Sequence, residues 1–175
     1  MVGPGSFRVE DGALVTEGGM GLLWYTAETF GNAVLRAVYR VSRADDNSGV
    51  FIRIADRPPD PWFAVHNGYE VQILATADER HRSGCIYSLS EALADAQKPP
   101  GEWNVMDIAM RGQIVEVTLN GTLVTTFDPA GPLPERQFPY EPERGPRPDV
   151  GYIGLQNHDA SSVVSFREVS VGPLP

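Results

Sequence analysis

Gly68-Tyr69-Glu70-Val71-Gln72-Ile73-Leu74 is the stretch on which the fold turns. Successive side chains of a β-strand point to opposite faces, so Tyr69, Val71 and Ile73 form an apolar face while Glu70 and Gln72 form a polar one. Two other stretches repeat this design. In Asn47-Ser48-Gly49-Val50-Phe51-Ile52-Arg53 the alternation sets Arg53 on the side away from Val50, Ile52 and Ile54. In Gly154-Leu155-Gln156-Asn157-His158-Asp159 it sets Gln156 and His158 away from Ile153 and Leu155. Each strand thus offers one side to a core and one side to chemistry, and function is expected on the second.

Outward from these stretches the strand pattern continues. Residues 7–16 alternate on both sides of Asp11-Gly12, a strong hairpin signal. Further strands are predicted over 33–42, 48–55, 69–75, 84–89, 103–111, 113–120, 122–127, 151–157 and 163–171, with Asn120-Gly121 as a second tight hairpin turn. Residues 17–23 are Gly-rich, and Arg57-Pro58-Pro59-Asp60-Pro61-Trp62 reads as a loop, since prolines remove ladder donors. The one helical piece is expected at Ser90–Ala96, capped by Ser90. Seven prolines between 129 and 148 leave a long connection without regular structure, a type of loop that tends to be functional or mobile. About a dozen short strands and one brief helix argue an all-β, two-sheet sandwich.

A chain of 175 residues with 18 Gly and 15 Pro suits one such domain, spanning 1–175, better than a helical bundle. The net charge of -9 argues against nucleic acid or anionic membrane as partner, because both are met through clustered Lys and Arg. The single cysteine, Cys85, excludes an internal disulfide and a Cys-rich metal site. With no basic segment leading into an apolar stretch at its start, the chain reads as cytoplasmic as it stands, and as extracytoplasmic had a signal peptide been removed. Nothing in the sequence fixes the oligomeric state.

Six motifs in order carry a resemblance: Asn-Ser-Gly-Val-Phe-Ile-Arg at 47–53, Gly-Tyr-Glu-Val-Gln-Ile-Leu at 68–74, Lys-Pro-Pro-Gly-Glu-Trp-Asn at 98–104, Leu-Asn-Gly at 119–121, Gly-Leu-Gln-Asn-His at 154–158 and Ser-Phe-Arg-Glu-Val at 165–169. The chain resembles the 3-keto-disaccharide hydrolase family, collinearly from about Phe7 to Val171. The resemblance implies a concanavalin A-like jelly roll and a sugar or glycoside ligand. Two departures stand out. The family often continues the Glu-x-Gln strand into an Asp where this chain has Leu74-Ala75, and often has Gln-Asp-His-Gly where this chain has Gln156-Asn157-His158-Asp159.

Direct cleavage of a glycosidic bond calls for two carboxylic groups. A sugar oxidised to a ketone at C3 opens another route, because the carbonyl acidifies the hydrogen on C2. One base removes that proton, a donor or cation steadies the enolate, the C1 substituent leaves, and water adds back. His158 is the first candidate base, with Glu70 as rival base or metal ligand and Arg53 as stabiliser of the enolate or as ion-pair partner of Glu70. Gln72 and Gln156 are candidate hydrogen-bonders to the sugar, as are Lys98 and Arg167, while Trp62 and Tyr87 offer aromatic faces for a pyranose. Trp103 is expected in the core. No cofactor is assigned; a divalent metal on Glu70, His158 and a loop Asp is left open, with no local motif for it. A non-catalytic carbohydrate-binding module and an accessory subunit are the alternative readings, since this sandwich also serves lectins.

Overall fold

A computed structural model describes residues 1–174. The alternating segments form eleven strands. In chain order these are β1 (Ser6–Glu10), β2 (Ala13–Glu17), β3 (Gly21–Trp24), β4 (Ala33–Val41), β5 (Ser48–Ile54), β6 (Tyr69–Ile73), β7 (Asn104–Arg111), β8 (Ile114–Leu119), β9 (Thr122–Phe127), β10 (Tyr152–Asn157) and β11 (Val164–Gly172), with helix α1 (Pro61–Asn67) between β5 and β6. All pairings are antiparallel. A seven-stranded sheet in the order β1-β2-β11-β4-β7-β8-β9 faces a four-stranded sheet in the order β3-β10-β5-β6, giving the jelly-roll sandwich expected. No helix among the described residues is long and apolar enough to cross a membrane.

The core lies between the sheets and is built from their inward faces. Leu35, Ala37, Tyr39 and Val41 of β4 meet Val50 and Ile52 of β5 and Tyr69, Val71 and Ile73 of β6. Burying each large apolar side chain is worth roughly 1.5–3 kcal/mol, so this layer supplies most of the driving force. A smaller cluster, Leu22, Phe51, Ile54, Ala64 and Val65, lies on the outer side of the four-stranded sheet under α1. That helix covers one half of the outer face and leaves the other half open.

Three local expectations are corrected. The helix is at Pro61–Asn67, within and just beyond the stretch read as loop, because Asp60 accepts the Phe63 amide at 3.0 Å as N-cap and Pro61 occupies the first turn, where its missing N–H costs nothing. Ser90–Ala96 forms no helix: the Ser90 hydroxyl turns back to accept the Ile86 amide, and Ala92 and Leu93 donate their amides to Glu79 and Val124 instead of to each other's turn. Residues 84–89 form no strand beyond one bridge, Val71 to Ile86. They run beside β6, with Gly84 and Tyr87 donating to the Gln72 and Glu70 carbonyls, but Ser88 has φ +60 and ends the ladder. β3, which begins in the Gly-rich stretch, is an addition the sequence did not suggest.

The alternation of β5 breaks at Arg53. Between β10 and β5 the register jumps from Tyr152↔Ile54 to Gly154↔Phe51, so β5 holds one extra residue, and Arg53 absorbs it with φ +51. Gly151 lies so close to this bulge that a Cβ there would stand 2.6 Å from the Arg53 backbone. Beyond the bulge Ile54 joins Phe51 on the outer side, and the Arg53 side chain is fully buried. Its guanidinium donates to the Pro148 carbonyl at 3.0 Å and to the Gly112 carbonyl. Arg53 therefore ties the Pro-rich connection to the β7–β8 turn, rather than serving Glu70 or an enolate as the sequence suggested.

The Pro-rich connection is held as a fixed wall. Arg147 donates to the carbonyls of Gly68, His66 and Glu143 at 3.0, 2.9 and 2.7 Å, and its guanidinium lies 5.1 Å over the Tyr69 ring. Arg144 donates to the Ser88 hydroxyl at 3.2 Å and to the Glu141 carboxylate at 3.1 Å. These bonds press residues 138–147 against α1, β6 and the 84–89 segment.

Candidate functional site

The open half of the four-stranded sheet forms the floor of a cleft of about 240 Å³. Three adjacent strands supply it. Gly49 on β5 pairs with Gln72 on β6, and one step from the Leu155↔Val50 pair it lies beside Gln156 on β10. Because Gly49 has no side chain, Glu70 can fold across it: a Cβ there would fall on the Glu70 carboxyl. The walls come from elsewhere in the chain. α1 contributes Trp62 and Val65, the 84–89 segment Tyr87, the Pro-rich connection Tyr140, and the residue after β10 is His158.

Glu70 is 6% exposed and, among the described residues, has no cationic partner. Burial pushes its carboxyl up to about 8, against a smaller opposing effect from a hydrogen bond with the Gln156 side chain. The Gln156 Oε1 is buried without a protein partner. Gln72 directs its Oε1 to the Ile73 amide at 3.1 Å, which leaves its NH₂ group uncommitted to that bond. The floor thus presents a neutral-leaning carboxyl between two carboxamides.

His158 stands at the rim with its side chain 43% exposed, and its Nδ1 is 2.8 Å from Asp159 Oδ2. Asp159 is itself fixed. Its carboxylate accepts from the Ser161 amide and hydroxyl at 2.7 and 2.6 Å and from the Ser162 amide and hydroxyl at 3.0 Å each. Partial burial would raise the pKa of this carboxyl, but hydrogen bonds from Ser161, His158 and Ser162 outweigh it and hold the group well below the usual carboxylate range. With Nδ1 engaged by an anion, Nε2 is the ring nitrogen left to exchange a proton.

Six of the nine residues singled out in the sequence share this cleft: Trp62, Glu70, Gln72, Tyr87, Gln156 and His158. Three do not. Arg53 is buried at the sandwich end, as described above. Lys98 donates through Nζ to the Trp103 carbonyl at 3.0 Å, and Arg167 lies 4.6 Å over the Trp103 ring. Trp103 is not in the core but sits half-buried between Arg167 and Arg40, the latter 4.7 Å over the same ring. Gly49, Tyr140 and the partnership of Asp159 with His158 were not evident from the sequence. Only Asp159 carried a readable signal, as the Asp-x-Ser-Ser pattern whose carboxylate caps the amides two and three residues on.

A larger cavity of about 510 Å³ opens between the sheets, lined by Leu14, Leu23, Leu35, Ile153 and Val171 among others. Its lining is mostly apolar, with Glu28 as its one carboxylate, so the smaller cleft, where polar groups converge, is the candidate site. Among the described residues no three His, Cys, Asp or Glu side chains are grouped to hold a metal ion. Glu70 and His158 do share the cleft, but Asp159 is committed to His158 and two serines, so the donors present do not make a cation site.

Comparison with known proteins agrees with the fold. A structure of a provisionally assigned glycosyl hydrolase from Parabacteroides distasonis superimposes with a TM-score of 0.80 at 26% identity, covering 97% of this chain and 90% of that one. A second from the same organism, at 21% identity, gives 0.78 over 97% and 84% of the two chains. A carbohydrate-binding module from Bacillus subtilis shares the fold at 12% identity, with a TM-score of 0.59 over 96% and 91%. No curated protein matches the chain by sequence. The model of one family matches residues 2–172, nearly the whole length, and the chain belongs to that family, the 3-keto-alpha-glucoside-1,2-lyase-like domains.

Proposed function

We propose that the protein cleaves glycosides whose sugar ring is already oxidised to a ketone at C3, with His158 as base and Glu70 as acid. The observation that carries this reading is the meeting, in one cleft, of a buried carboxyl that favours its protonated form and an imidazole held by an anion. A carboxyl that keeps its proton and an imidazole with one ring nitrogen left open are complementary groups, one able to donate a proton and the other to accept one.

His158 Nε2 takes the proton from C2, and the C–H electron pair forms the C2–C3 double bond as charge moves to the C3 oxygen. The Glu70 carboxyl donates to that oxygen, supported by the Gln72 amide. As the ketone re-forms, C1 and C2 become doubly bonded and the bond from C1 to the aglycone oxygen breaks. That oxygen takes a proton from the imidazolium of His158. Water then adds to C1, and a proton returns to C2, so the sum is one glycoside and one water giving one keto-sugar and one alcohol. Asp159 is a positioning residue: it keeps Nε2 free and stabilises the imidazolium.

A module that only binds sugar needs no such carboxyl, since a buried Glu without a cation costs stability that a binding surface avoids. The test is to supply purified protein with a 3-keto-glucoside and follow aglycone release together with deuterium uptake at C2. Release and exchange that both fail in His158→Ala support the reading. No release, or release unchanged in His158→Ala, sinks it.

A further inference from the structure

The cleft joins polar and apolar groups. Beside the hydrogen-bonding floor and His158, its lining includes Trp62 and Val65 of α1, Met20, and Tyr140 of the Pro-rich connection. Trp62 is 49% exposed and Tyr140 48%, unusual exposure for large aromatic side chains that share a concavity. Each is backed by a second ring: His66 stacks on Trp62 at 6.4 Å and 27°, and Phe138 on Tyr140 at 5.1 Å and 4°. The Tyr140 wall is further fixed by Arg144 and Arg147, so neither ring stands on a free loop.

The volume matters as well. About 240 Å³ is below the ~300–1,000 Å³ of sites that enclose a whole drug-sized ligand. One sugar ring on the polar floor fills it, and the group on C1 is left at the rim. A second sugar there would bring several hydroxyls to a surface that offers few hydrogen-bonding groups, the Trp62 indole N–H and the Tyr140 hydroxyl among them. Each hydroxyl desolvated without a partner costs on the order of 1–3 kcal/mol. A flat apolar group has no such cost and gains the faces of two aromatic rings.

We infer that Trp62 and Tyr140 form a leaving-group subsite selective for aromatic aglycones, so that the preferred substrates are aryl 3-keto-glucosides rather than 3-keto-disaccharides. This rests on the cleavage reading above, and the experiment separates the two. Binding of phenyl 3-keto-glucoside, methyl 3-keto-glucoside and a 3-keto-disaccharide is measured by calorimetry on the His158→Ala protein, and turnover of the same three on wild type. The phenyl compound is expected to bind ~3- to 10-fold more tightly than the methyl compound, the range that one aromatic pair provides. Trp62→Ala and Tyr140→Ala should each reduce that preference, and the double variant should abolish it. Equal binding of phenyl and methyl compounds, a preference that survives both substitutions, or a preference for the disaccharide overturns the subsite while leaving cleavage intact. If none of the three compounds binds or turns over, the cleavage reading itself fails and the subsite with it.

Discussion

Gly49 lies beneath Glu70 so closely that the carboxyl of one occupies the space a side chain on the other would need. The floor of the cleft is therefore shaped by an absence on the central strand. Gly49→Ala is expected to displace Glu70 while leaving the strand paired, since its backbone lies in an ordinary β5–β6 register. Turnover of a 3-keto-glucoside should fall by ~10²-fold or more, in the range that one general acid contributes. Circular dichroism and the melting temperature will show whether the fold is retained; full activity in Gly49→Ala would remove Glu70 from the chemistry.

The raised pKa of Glu70 makes stability depend on pH. In the unfolded chain the carboxyl ionises at its ordinary value near 4.5, in the folded protein at about 8. Between these values the unfolded state has lost the proton that the folded state keeps, so stability declines as pH rises through this window. Glu70→Gln, which cannot ionise, should match wild type at pH 4 and become the more stable protein as pH increases, by a few kcal/mol at pH 9. Denaturant titrations at several pH values read this directly. Activity of the wild type should likewise fall above pH about 8, where the carboxyl can no longer donate.

Asp159→Asn keeps the shape of the carboxylate but not its charge. An amide can offer its NH₂ to His158 Nδ1, which moves the imidazole proton to Nε2 and removes the base. A kcat loss of ~10²-fold or more with little change in KM is expected for a positioning residue of this kind. The Ser161–Ser162 turn also loses charge-assisted hydrogen bonds, which together predict a melting point lower by the equivalent of ~1–3 kcal/mol. A histidine NMR titration that finds the same His158 tautomer in both proteins counts against the assignment.

Arg53→Met should behave in the opposite way. Two backbone carbonyls, Pro148 and Gly112, lose their donor inside the protein. A loss of ~2–5 kcal/mol in stability is expected, because buried acceptors are left unpaired. Turnover per folded molecule should stay near that of wild type at a temperature well below the melting point. A variant that folds normally yet does not turn over would return Arg53 to the reacting groups.

The contrast between Glu70 and Arg53 shows how far the sequence could be read. Alternation along Tyr69–Ile73 predicts the outward Glu70 and Gln72 correctly, because the pleat has a fixed period of two and nothing interrupts it. The same rule fails at Arg53, where a single extra residue shifts the period and sends the side chain to the other side of the sheet. At Pro61 the information was present: Asp-Pro is a helix start, but Pro58-Pro59 dominated the reading. Tyr140 was not legible at all. It belongs to a segment without periodicity, and its place is set by Arg147 reaching the carbonyls of residues some eighty positions earlier.

The two aromatic walls share a position in the chain's layout. Trp62 comes from the segment joining β5 to β6, and Tyr140 from the one joining β9 to β10, whereas Glu70, Gln72 and Gln156 belong to strands whose side-chain direction is fixed by pairing. Substitutions or length changes in the two connections leave the strand register untouched. Descent can therefore revise what the protein accepts as a departing group one insertion at a time, while the apparatus that moves protons is inherited whole.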